Sequence, residues 1–541
     1  MGYYTRLALL VIVGLIVLSP HIVHLVQERE ITFSEDEAYQ LLAVRNMLEG
    51  AMYSFEFPDK DLSAPTSYRH MYEWPPGFSF TIYFLKKIGF SLLGAALFFK
   101  IFFVLLGVVA WSYVGEKILR NYILLMIFVI ILPGMMIFNP TDLFCWAITP
   151  GILLCWQNST FKKEVVDYRY LMGASSLVAV IILYKYSVVF FILAGILFYI
   201  LDGALRNKLF WKQALVFSVL PIVTYFSIHI FNKTHSLAFA FASGMTFSPD
   251  FGFSSYLAPL KSVFMIPFEL NQFFTFLGSQ NGASDLYVMP FVLFFTALLV
   301  YYWIRQIRNQ GFILIWSTLA ISSIIVFLML DIFSFSSIGF HSSEHYRYYS
   351  VVSPLFVVLI LSASGWVFMD DASILPTKWV YKENPTLLPK LLVTCSMFLL
   401  LMFPFGYSAG NLIGMLGGSK NVYHMEGDTL IALTESITGK GDISPQKHFG
   451  HVKYFTKISE MKVLGLPREE VSLDGTQDSR FWKDAYCSNP TWIFLYEYRP
   501  LKDYYYNKQI RKLSKRLGLK TRQTDNWVVH YKKLPKGDLP G

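Results

Sequence analysis

Long apolar blocks separated by short polar stretches fill the first three quarters of the chain. Most blocks have roughly 18–25 residues, the length of helix that crosses a hydrocarbon core about 30 Å thick. The block at 171–201 is interrupted at Lys185 and is either one tilted helix or two shorter ones. We therefore predict about 11 to 13 membrane-spanning helices. The apolar blocks lie near residues 7–26, 77–94, 96–115, 121–138, 142–156, 171–201, 213–231, 286–304, 312–330, 348–369 and 389–414.

The longest polar stretches are residues 27–76, 232–285 and 419–541. The last stretch is long enough for a small domain. It contains a helix-like segment at 428–438 and strand-like runs at 491–495 and 527–531. We therefore predict a polytopic α-helical membrane protein, with a transmembrane domain over residues 1–418 and a small α/β soluble C-terminal domain over residues 419–541.

The composition agrees with membrane insertion. The 541 residues are 54% hydrophobic and 15% charged, with a mean hydropathy of +0.44, whereas a soluble chain is typically about 25% charged. The net charge of +9 is concentrated near the end, where twelve Lys/Arg face three Asp from Arg499 onward. Such a tail suits nucleic acid or anionic lipid head groups, and in a membrane protein we favour the lipid bilayer and expect no nucleic-acid partner.

The N-terminal apolar run, Leu7–Pro20, follows a single Arg6. It is either a cleaved signal peptide or a retained anchor. No Ala-x-Ala-like cleavage site follows it, so we predict an anchor with a cytoplasmic N-terminus. Lys86, Lys87 and Lys100 are expected to flank a cytoplasmic loop between the second and third spans.

An acidic cluster, Glu35-Asp36-Glu37, opens the first polar stretch. Ser34 and Glu37 have the spacing of a capping box, which predicts a helix start, and Gly50 predicts its end. Asp36 would lie in the first turn, where the helix dipole favours an ionised carboxylate that can act as a base. The alternative is that these acids only cap the helix. The apolar residues form one stripe, typical of a helix in the membrane interface, at Ala38, Leu41, Leu42, Met47 and Leu48.

Two further motifs complete the pattern. Glu73-Trp74-Pro75-Pro76 stands directly before the second span, and a polar segment, Ser342–Tyr349, leads into a late span. Together with the acidic cluster, they resemble the GT-C superfamily of membrane glycosyltransferases, which includes protein O-mannosyltransferases, aminoarabinose transferases and RgtA-like enzymes. Members have an acidic pair after the first span, a Pro-Pro element opening the second, many further spans and, often, a soluble C-terminal domain. The resemblance covers roughly residues 1–415.

The resemblance implies that Asp36 is the catalytic carboxylate. In the family this acid takes the proton from an acceptor hydroxyl, or orients that acceptor, while the sugar leaves its lipid phosphate. Glu37 matches the second acid, although capping gives it a structural task. The implied donor is a polyprenyl-phosphate sugar, hexosyl or pentosyl, and the implied acceptor is a lipid, glycan or protein. The implied location is a bacterial plasma (inner) membrane, with the active site facing outside and inversion at the anomeric carbon.

No cofactor is certain from the sequence, and a divalent cation is possible. Glu73 occupies the place where some members carry a metal-ligating Glu. Trp74 stands where aminoarabinose transferases have a Lys, which weakens the case both for a metal and for a lysine phosphate ligand here. Arg69 is a candidate for the missing charge, and His70 is a further active-site candidate. The alternative for both is a solvated loop pair.

Ionisable groups at membrane depth are functional candidates, because burying one costs at least a few kcal/mol. Lys185 is a candidate ligand for the leaving phosphate, or else a lysine snorkelling to the interface. Asp142 matches an acid that opens a span on the family's active-site side, or else it caps a helix. Arg347 resembles the family's late Arg and is a candidate phosphate ligand, with Tyr346 and His345 beside it. The alternative for that segment is an aromatic belt.

Two other functions remain open. A non-catalytic lipid or glycan transporter explains the spans and buried charges, but not an acidic helix start followed by a Pro-Pro element. An envelope polysaccharide polymerase or ligase also uses lipid-linked sugars and usually places Arg/His sites in a large late loop. The loop at 232–285 is sparse in charge and begins with an N-glycosylation sequon at Asn232 whose side of the membrane is not assigned.

Overall fold

The computed structural model describes residues 8–16, 19, 35–51, 53–57, 67–71, 74–119, 122–132, 139–160, 167–205, 211–235, 293, 296–297, 300–301, 303–304, 318, 351–368, 427–439, 446–449, 463–464, 492–499, 505–524 and 527–534. The chain forms two compact units. The first comprises Met1–His24, Lys100–Ile228 and Phe241–Ser419, and the second comprises Leu25–Phe99, His229–Ala240 and Lys420–Gly541.

The described part of the chain is mostly helical, with residues 8–16 helical at its start. The further helices are α1 (Glu35–Leu48), α2 (Gly77–Lys87), α3 (Leu92–Ile118), α4 (Tyr122–Ile131), α5 (Pro140–Thr160), α6 (Tyr168–Ile182), α7 (Phe190–Leu205), α8 (Trp211–His235), α9 (Ser353–Phe368), α10 (Gly427–Thr438) and α11 (Tyr505–Leu517). The strands are β1 (Ser54–Phe57), β2 (Ser67–His70), β3 (Gln446–Phe449), β4 (Val463–Leu464), β5 (Trp492–Tyr498), β6 (Lys520–Gln523) and β7 (Trp527–Lys533).

Two of the described helices are long and apolar enough to cross a membrane. They are Gly94–Ile118 within α3 and Trp211–Asn232 within α8. Shorter apolar helices occupy Tyr168–Ile182, Phe191–Leu201 and Ser353–Ser362. The predicted spans at 312–330 and 389–414 lie almost entirely outside the described residues.

The apolar block at 171–201 forms two helices. α6 ends at Ile182, a turn follows, and a short 3-10 turn at Tyr186–Val189 leads into α7. The amide of Lys185 donates to the carbonyl of Ile181 (3.0 Å). The polar interruption in the sequence therefore marks a real break, which places Lys185 between two helices.

The second predicted span, 77–94, is wrong as a single helix. α2 ends after Lys86 and Lys87, which are exposed, and Gly89 adopts a positive φ of 109° before α3 begins. Glycine favours this left-handed conformation because it has no Cβ. Lys100 does not flank the loop as predicted, since it is 1% exposed within α3.

Small residues let the helices of the first unit approach closely. Gly107 of α3 faces the Trp146 indole of α5, where any larger residue would collide with the ring. The Trp111 indole N–H donates to the Trp146 carbonyl (3.0 Å), which ties the same two helices together. Ser175 of α6 donates to the carbonyl of Phe217 on α8 (2.7 Å). The first two contacts hold α5 against α3, and the third holds α6 against α8.

The C-terminal sheet has the strand order β4-β3-β5-β7-β6. β3 pairs in parallel with β4 and β5, and β7 pairs antiparallel with β5 and β6. Leu433 of α10 packs with Phe494 and Tyr496 on one face, and Ile510 of α11 packs with Leu495 on the other. The helix predicted at 428–438 and the strands predicted at 491–495 and 527–531 are confirmed by α10, β5 and β7.

Candidate active site

The acidic helix start and the Pro-Pro element belong to one packed cluster. The Tyr53 hydroxyl donates to the carbonyls of Trp74 (3.0 Å) and Pro75 (3.3 Å). The Trp74 ring stacks on Tyr39 of α1, with ring centroids 5.6 Å apart. The Ser79 hydroxyl of α2 donates to the Gln40 carbonyl of α1 (3.0 Å). Two of the motifs on which the resemblance rests are therefore also neighbours in space.

The predicted helix after the first apolar block is confirmed as α1, and the chain turns at Gly50 with a φ of 96°. Its burial differs from the predicted interfacial stripe. Gln40 and Asn46 are buried beside the apolar residues, because β1 and α2 pack on the helix. α1 is thus a helix enclosed by protein.

The two carboxylates assigned to catalysis lie in the first turn of α1. Asp36 holds the predicted position there, and its side chain lies outside the described atoms. Glu37 is 0% exposed. An ionised carboxylate at that depth requires polar partners, because its desolvation is costly. Glu37 therefore belongs to the packed interior of the cluster.

His70 is buried, so it is not the solvated loop residue of the alternative prediction. It ends β2, and its Nε2 lies 2.9 Å from Oδ1 of Asn232 on α8. Its ring meets Phe231 and Tyr53 edge to face, at centroid distances of 5.3 and 6.0 Å. Since Asn Oδ1 can only accept, Nε2 carries the proton and donates. His70 therefore fastens the β1–β2 hairpin to the end of α8.

Lys185 and Asp142 form a buried ion pair. Their side chains are 11% and 1% exposed, so the alternative of a snorkelling lysine is wrong. The capping alternative for Asp142 does not hold either, because Asn139 caps α5: its Oδ1 accepts from the backbone N–H (3.2 Å) and the hydroxyl (3.0 Å) of Thr141. The Asp142 carboxylate is therefore not used for capping and pairs with the ammonium group of Lys185.

Stacked aromatic residues lie close in sequence to both members of this ion pair. Phe144 stacks on Tyr184 with centroids 3.6 Å apart and ring planes 13° apart, and Phe103 of α3 meets Phe144 edge to face at 4.7 Å. The pair therefore lies in an apolar setting, where a charge is strongly felt because water does not screen it.

Several predicted site residues lie outside what the structure describes. They are Glu73, His345, Tyr346, Arg347 and the side chain of Arg69. Within the described ranges, no group of three His, Cys, Asp or Glu side chains is arranged to hold a metal ion.

A second buried polar cluster in the C-terminal part was not predicted. His530 of β7 contacts the Ser514 hydroxyl through Nδ1 (2.8 Å) and Glu497 through Nε2 (3.4 Å), and Arg511 Nε lies 3.1 Å from the other carboxylate oxygen. Burial lowers the pKa of His530, while the hydrogen bond that its ring donates to the Glu497 carboxylate opposes that shift. The residues are scattered over three elements, so no sequence motif announces them. Their contacts join α11 to the sheet.

The chain was compared with known families, curated proteins and solved structures. No family model matches it, and no curated protein matches it significantly. Two structures of ArnT from Cupriavidus metallidurans share its fold. The structure bound to undecaprenyl phosphate has 12% identity and a TM-score of 0.55, covering 98% of each chain. The apo structure has 12% identity and a TM-score of 0.52, covering 98% of this chain and 97% of that one. The chain therefore shares the fold of ArnT over nearly its whole length, in agreement with the resemblance to a group that includes aminoarabinose transferases.

Proposed function

We propose that this chain, which shares its fold with ArnT, is an integral membrane glycosyltransferase of the GT-C type. Its donor would be a polyprenyl-phosphate sugar, and its acceptor a hydroxyl group of a lipid, glycan or protein. The observation that carries the proposal is the cluster in which α1, with Asp36 in its first turn, packs on Trp74 through Tyr39, while Tyr53 donates to the carbonyl of Pro75. A transporter has no need of an acidic helix start beside a Pro-Pro element.

Asp36 is the proposed base. Its carboxylate takes the proton of the acceptor hydroxyl while the acceptor oxygen forms a bond to the anomeric carbon. The bond from that carbon to the phosphate oxygen breaks, and the electron pair leaves with the polyprenyl phosphate. The single displacement inverts the anomeric carbon. Such base catalysis is typically worth about 10²–10⁴-fold in rate.

Lys185 is the proposed cation for the leaving phosphate. The ion pair with Asp142 supports this role in one respect, because it holds a lysine charged in a buried, aromatic setting. The leaving group gains negative charge as its bond to the sugar breaks, and an ammonium in such a setting attracts that charge more strongly than one in water. Arg347 and Arg69 are the further candidates for the phosphate, and Glu73 for a divalent cation.

The remaining features of the proposal concern placement. The protein would have about 11 to 13 spans, with the active site on the extracytoplasmic side of a bacterial plasma membrane. The transmembrane domain would comprise residues 1–418 and the soluble domain residues 419–541. Two buried side chains support the site as positioning residues: Glu37 within α1, and His70, through its bond to Asn232.

The deciding experiment assays the purified full-length protein with radiolabelled polyprenyl-phosphate sugars for transfer or slow hydrolysis. Asp36→Asn is expected to lower turnover about 10²–10⁴-fold. The matched control is Glu49→Gln, which removes an exposed acid just beyond the other end of α1 and is expected to keep wild-type turnover. Equal turnover of Asp36→Asn and wild type would show that Asp36 is not the base.

A second arm separates the enzyme from a transporter. The protein is reconstituted into vesicles that carry a fluorescent polyprenyl-phosphate sugar, and the exposure of that lipid on each leaflet is followed. Consumption of the donor without movement across the bilayer supports the transferase. Movement without consumption rejects it.

A further inference from the structure

The positive charge of this protein is concentrated in its last described elements. Residues 505–534 contain nine Lys/Arg and a single acid, Asp525, whereas the whole chain has a net charge of +9. This segment comprises α11, β6 and β7. The proposed transfer reaction does not use this charge, so it needs its own explanation.

One side of the C-terminal sheet carries most of the charge. Lys508, Lys512 and Lys515 are exposed and spaced so that they form one stripe along the outer side of α11, and Arg516 lies beside them. Lys532 is on the same side of the sheet, where its ammonium donates to the Leu517 carbonyl (3.0 Å). We call these five residues the α11 basic face.

The acid that contacts α11 among the described residues is Glu497, which is buried and paired with Arg511 and His530. Arg511 is accordingly not counted in the face. The opposite side of α11 packs Ile510 against β5, which holds the stripe outward.

The other side of the sheet provides an internal comparison. Arg522 donates to the Ser436 hydroxyl of α10 (2.9 Å), and the Lys533 ammonium lies 5.5 Å from the centre of the Trp492 ring. Lys520 lies directly opposite Tyr531 in the β6–β7 ladder, so the two side chains are on the same side of the sheet. The Tyr531 side chain packs on the α10 side. These three cations are therefore on the α10 side and do not belong to the basic face.

We propose that the α11 basic face docks on the anionic phospholipid head groups of the bilayer that holds the transmembrane helices. The face is an exposed row of five cations, four of them lysines, and suits a fluid layer of phosphates better than one specifically shaped ligand. The membrane is always within reach because both belong to one chain, so weak attractions suffice. Each basic side chain near an anionic surface raises the ratio of docked to undocked protein about fivefold. The inference needs only the membrane location and does not depend on glycosyl transfer.

The test uses the full-length protein in lipid nanodiscs, either zwitterionic (phosphatidylcholine alone) or anionic (phosphatidylcholine with phosphatidylglycerol). Exposed lysines are acetylated with a water-soluble reagent, and the rate at each lysine is read by mass spectrometry. In anionic nanodiscs, acetylation of Lys508, Lys512 and Lys515 is expected to slow about fivefold. Lys520 and Lys533 should react equally fast in both lipids. Salt at about 1 M, where the Debye length is about 3 Å, should abolish the difference.

Charge-reversed variants control the assignment. Lys508→Glu/Lys512→Glu/Lys515→Glu should remove the lipid dependence at Lys532, and Lys520→Glu/Lys533→Glu should leave it intact. Equal rates at the α11 lysines in both nanodiscs would overturn the proposal. Equal slowing on both sides of the sheet would overturn the choice of face. If the α11 lysines are acetylated more slowly than Lys520 and Lys533 in the zwitterionic nanodiscs as well, another part of the protein covers the face. That result would also overturn the proposal.

Discussion

The buried ion pair between Lys185 and Asp142 supports a prediction that can be worked out in energetic terms. Asp142→Asn keeps the size of the side chain but removes its charge. The Lys185 side chain, 11% exposed, then faces a neutral amide in an aromatic setting. Two charges about 4 Å apart attract by about 4 kcal/mol at an effective dielectric of about 20. Removing one partner of a buried pair typically costs about 3–5 kcal/mol, because the other charge stays buried.

A double-mutant cycle isolates this interaction. We expect Asp142→Asn to lower the free energy of unfolding by about 3–5 kcal/mol. Asp142→Asn/Lys185→Met removes both charges and should cost less than the sum of the two single variants, with a coupling energy of at least about 2 kcal/mol. Asp167→Asn is the matched control: it caps α6 through a bond to the Arg169 amide (3.1 Å), and Asn caps as well as Asp.

The assay is equilibrium unfolding of the detergent-solubilised protein, followed by tryptophan fluorescence. Trp146 lies one helical turn from Asp142 in α5 and is buried, so its emission reports on this region. Additive single and double variants, or an Asp142→Asn protein as stable as wild type, would refute the reasoning. In that case the side chains would not interact in the folded protein, and the support for Lys185 as a prepared phosphate ligand would disappear.

Two further predictions concern packing and pH. Gly107→Ala places a methyl group against the Trp146 ring and should lower the free energy of unfolding, measured by thermal unfolding, by about 1–3 kcal/mol. The control is Gly173→Ala, whose Cβ would lie 3.3 Å from the Cys155 sulfur and should be tolerated. Equal losses of stability in the two variants would contradict the packing of α3 on α5. Burial lowers the pKa of His530 below its unfolded value of about 6.5, so its contribution to stability is fully present above that value and is lost as the pH falls through the lower, folded pKa. The protection factors of the β5 and β7 amides in hydrogen exchange, which correct for the slower intrinsic exchange at low pH, should therefore fall at acidic pH in the full-length protein. His530→Gln should remove the pH dependence that belongs to this residue, and an unchanged profile would show that another group is responsible.

Local sequence rules predicted local structure well. A helix over α1 follows from the acidic start and Gly50, and the interruption at Lys185 indicated two helices as one of the two alternatives for the block at 171–201. The strands β5 and β7 follow from runs of β-branched and aromatic residues. In each case the determining interactions lie within a few residues, so the pattern contains the information.

Pairings between distant segments could not be predicted in this way. Asp142 and Lys185 were both chosen as site candidates, but separately, and nothing in either motif indicates that they face each other. The bond from His70 to Asn232 joins residues 162 positions apart. Such contacts depend on how the helices pack, which a single sequence does not specify.

The errors have equally physical causes. Hydropathy averaged over 77–94 conceals the turn at Gly89, because one residue with a positive φ barely changes the mean. The stripe on α1 suggested an interfacial helix, since the sequence alone does not reveal that β1 and α2 pack on the helix and that Gln40 and Asn46 are buried.

The bond between His70 and Asn232 also affects the order of events during synthesis. Asn232 opens a glycosylation sequon, but it is 2% exposed and its carboxamide is held by His70. A sugar can reach that nitrogen only before β2 and the end of α8 have come together. In a host that glycosylates this side of its membrane, a glycan on Asn232 would therefore identify chains that were glycosylated before the first loop had packed against the end of α8.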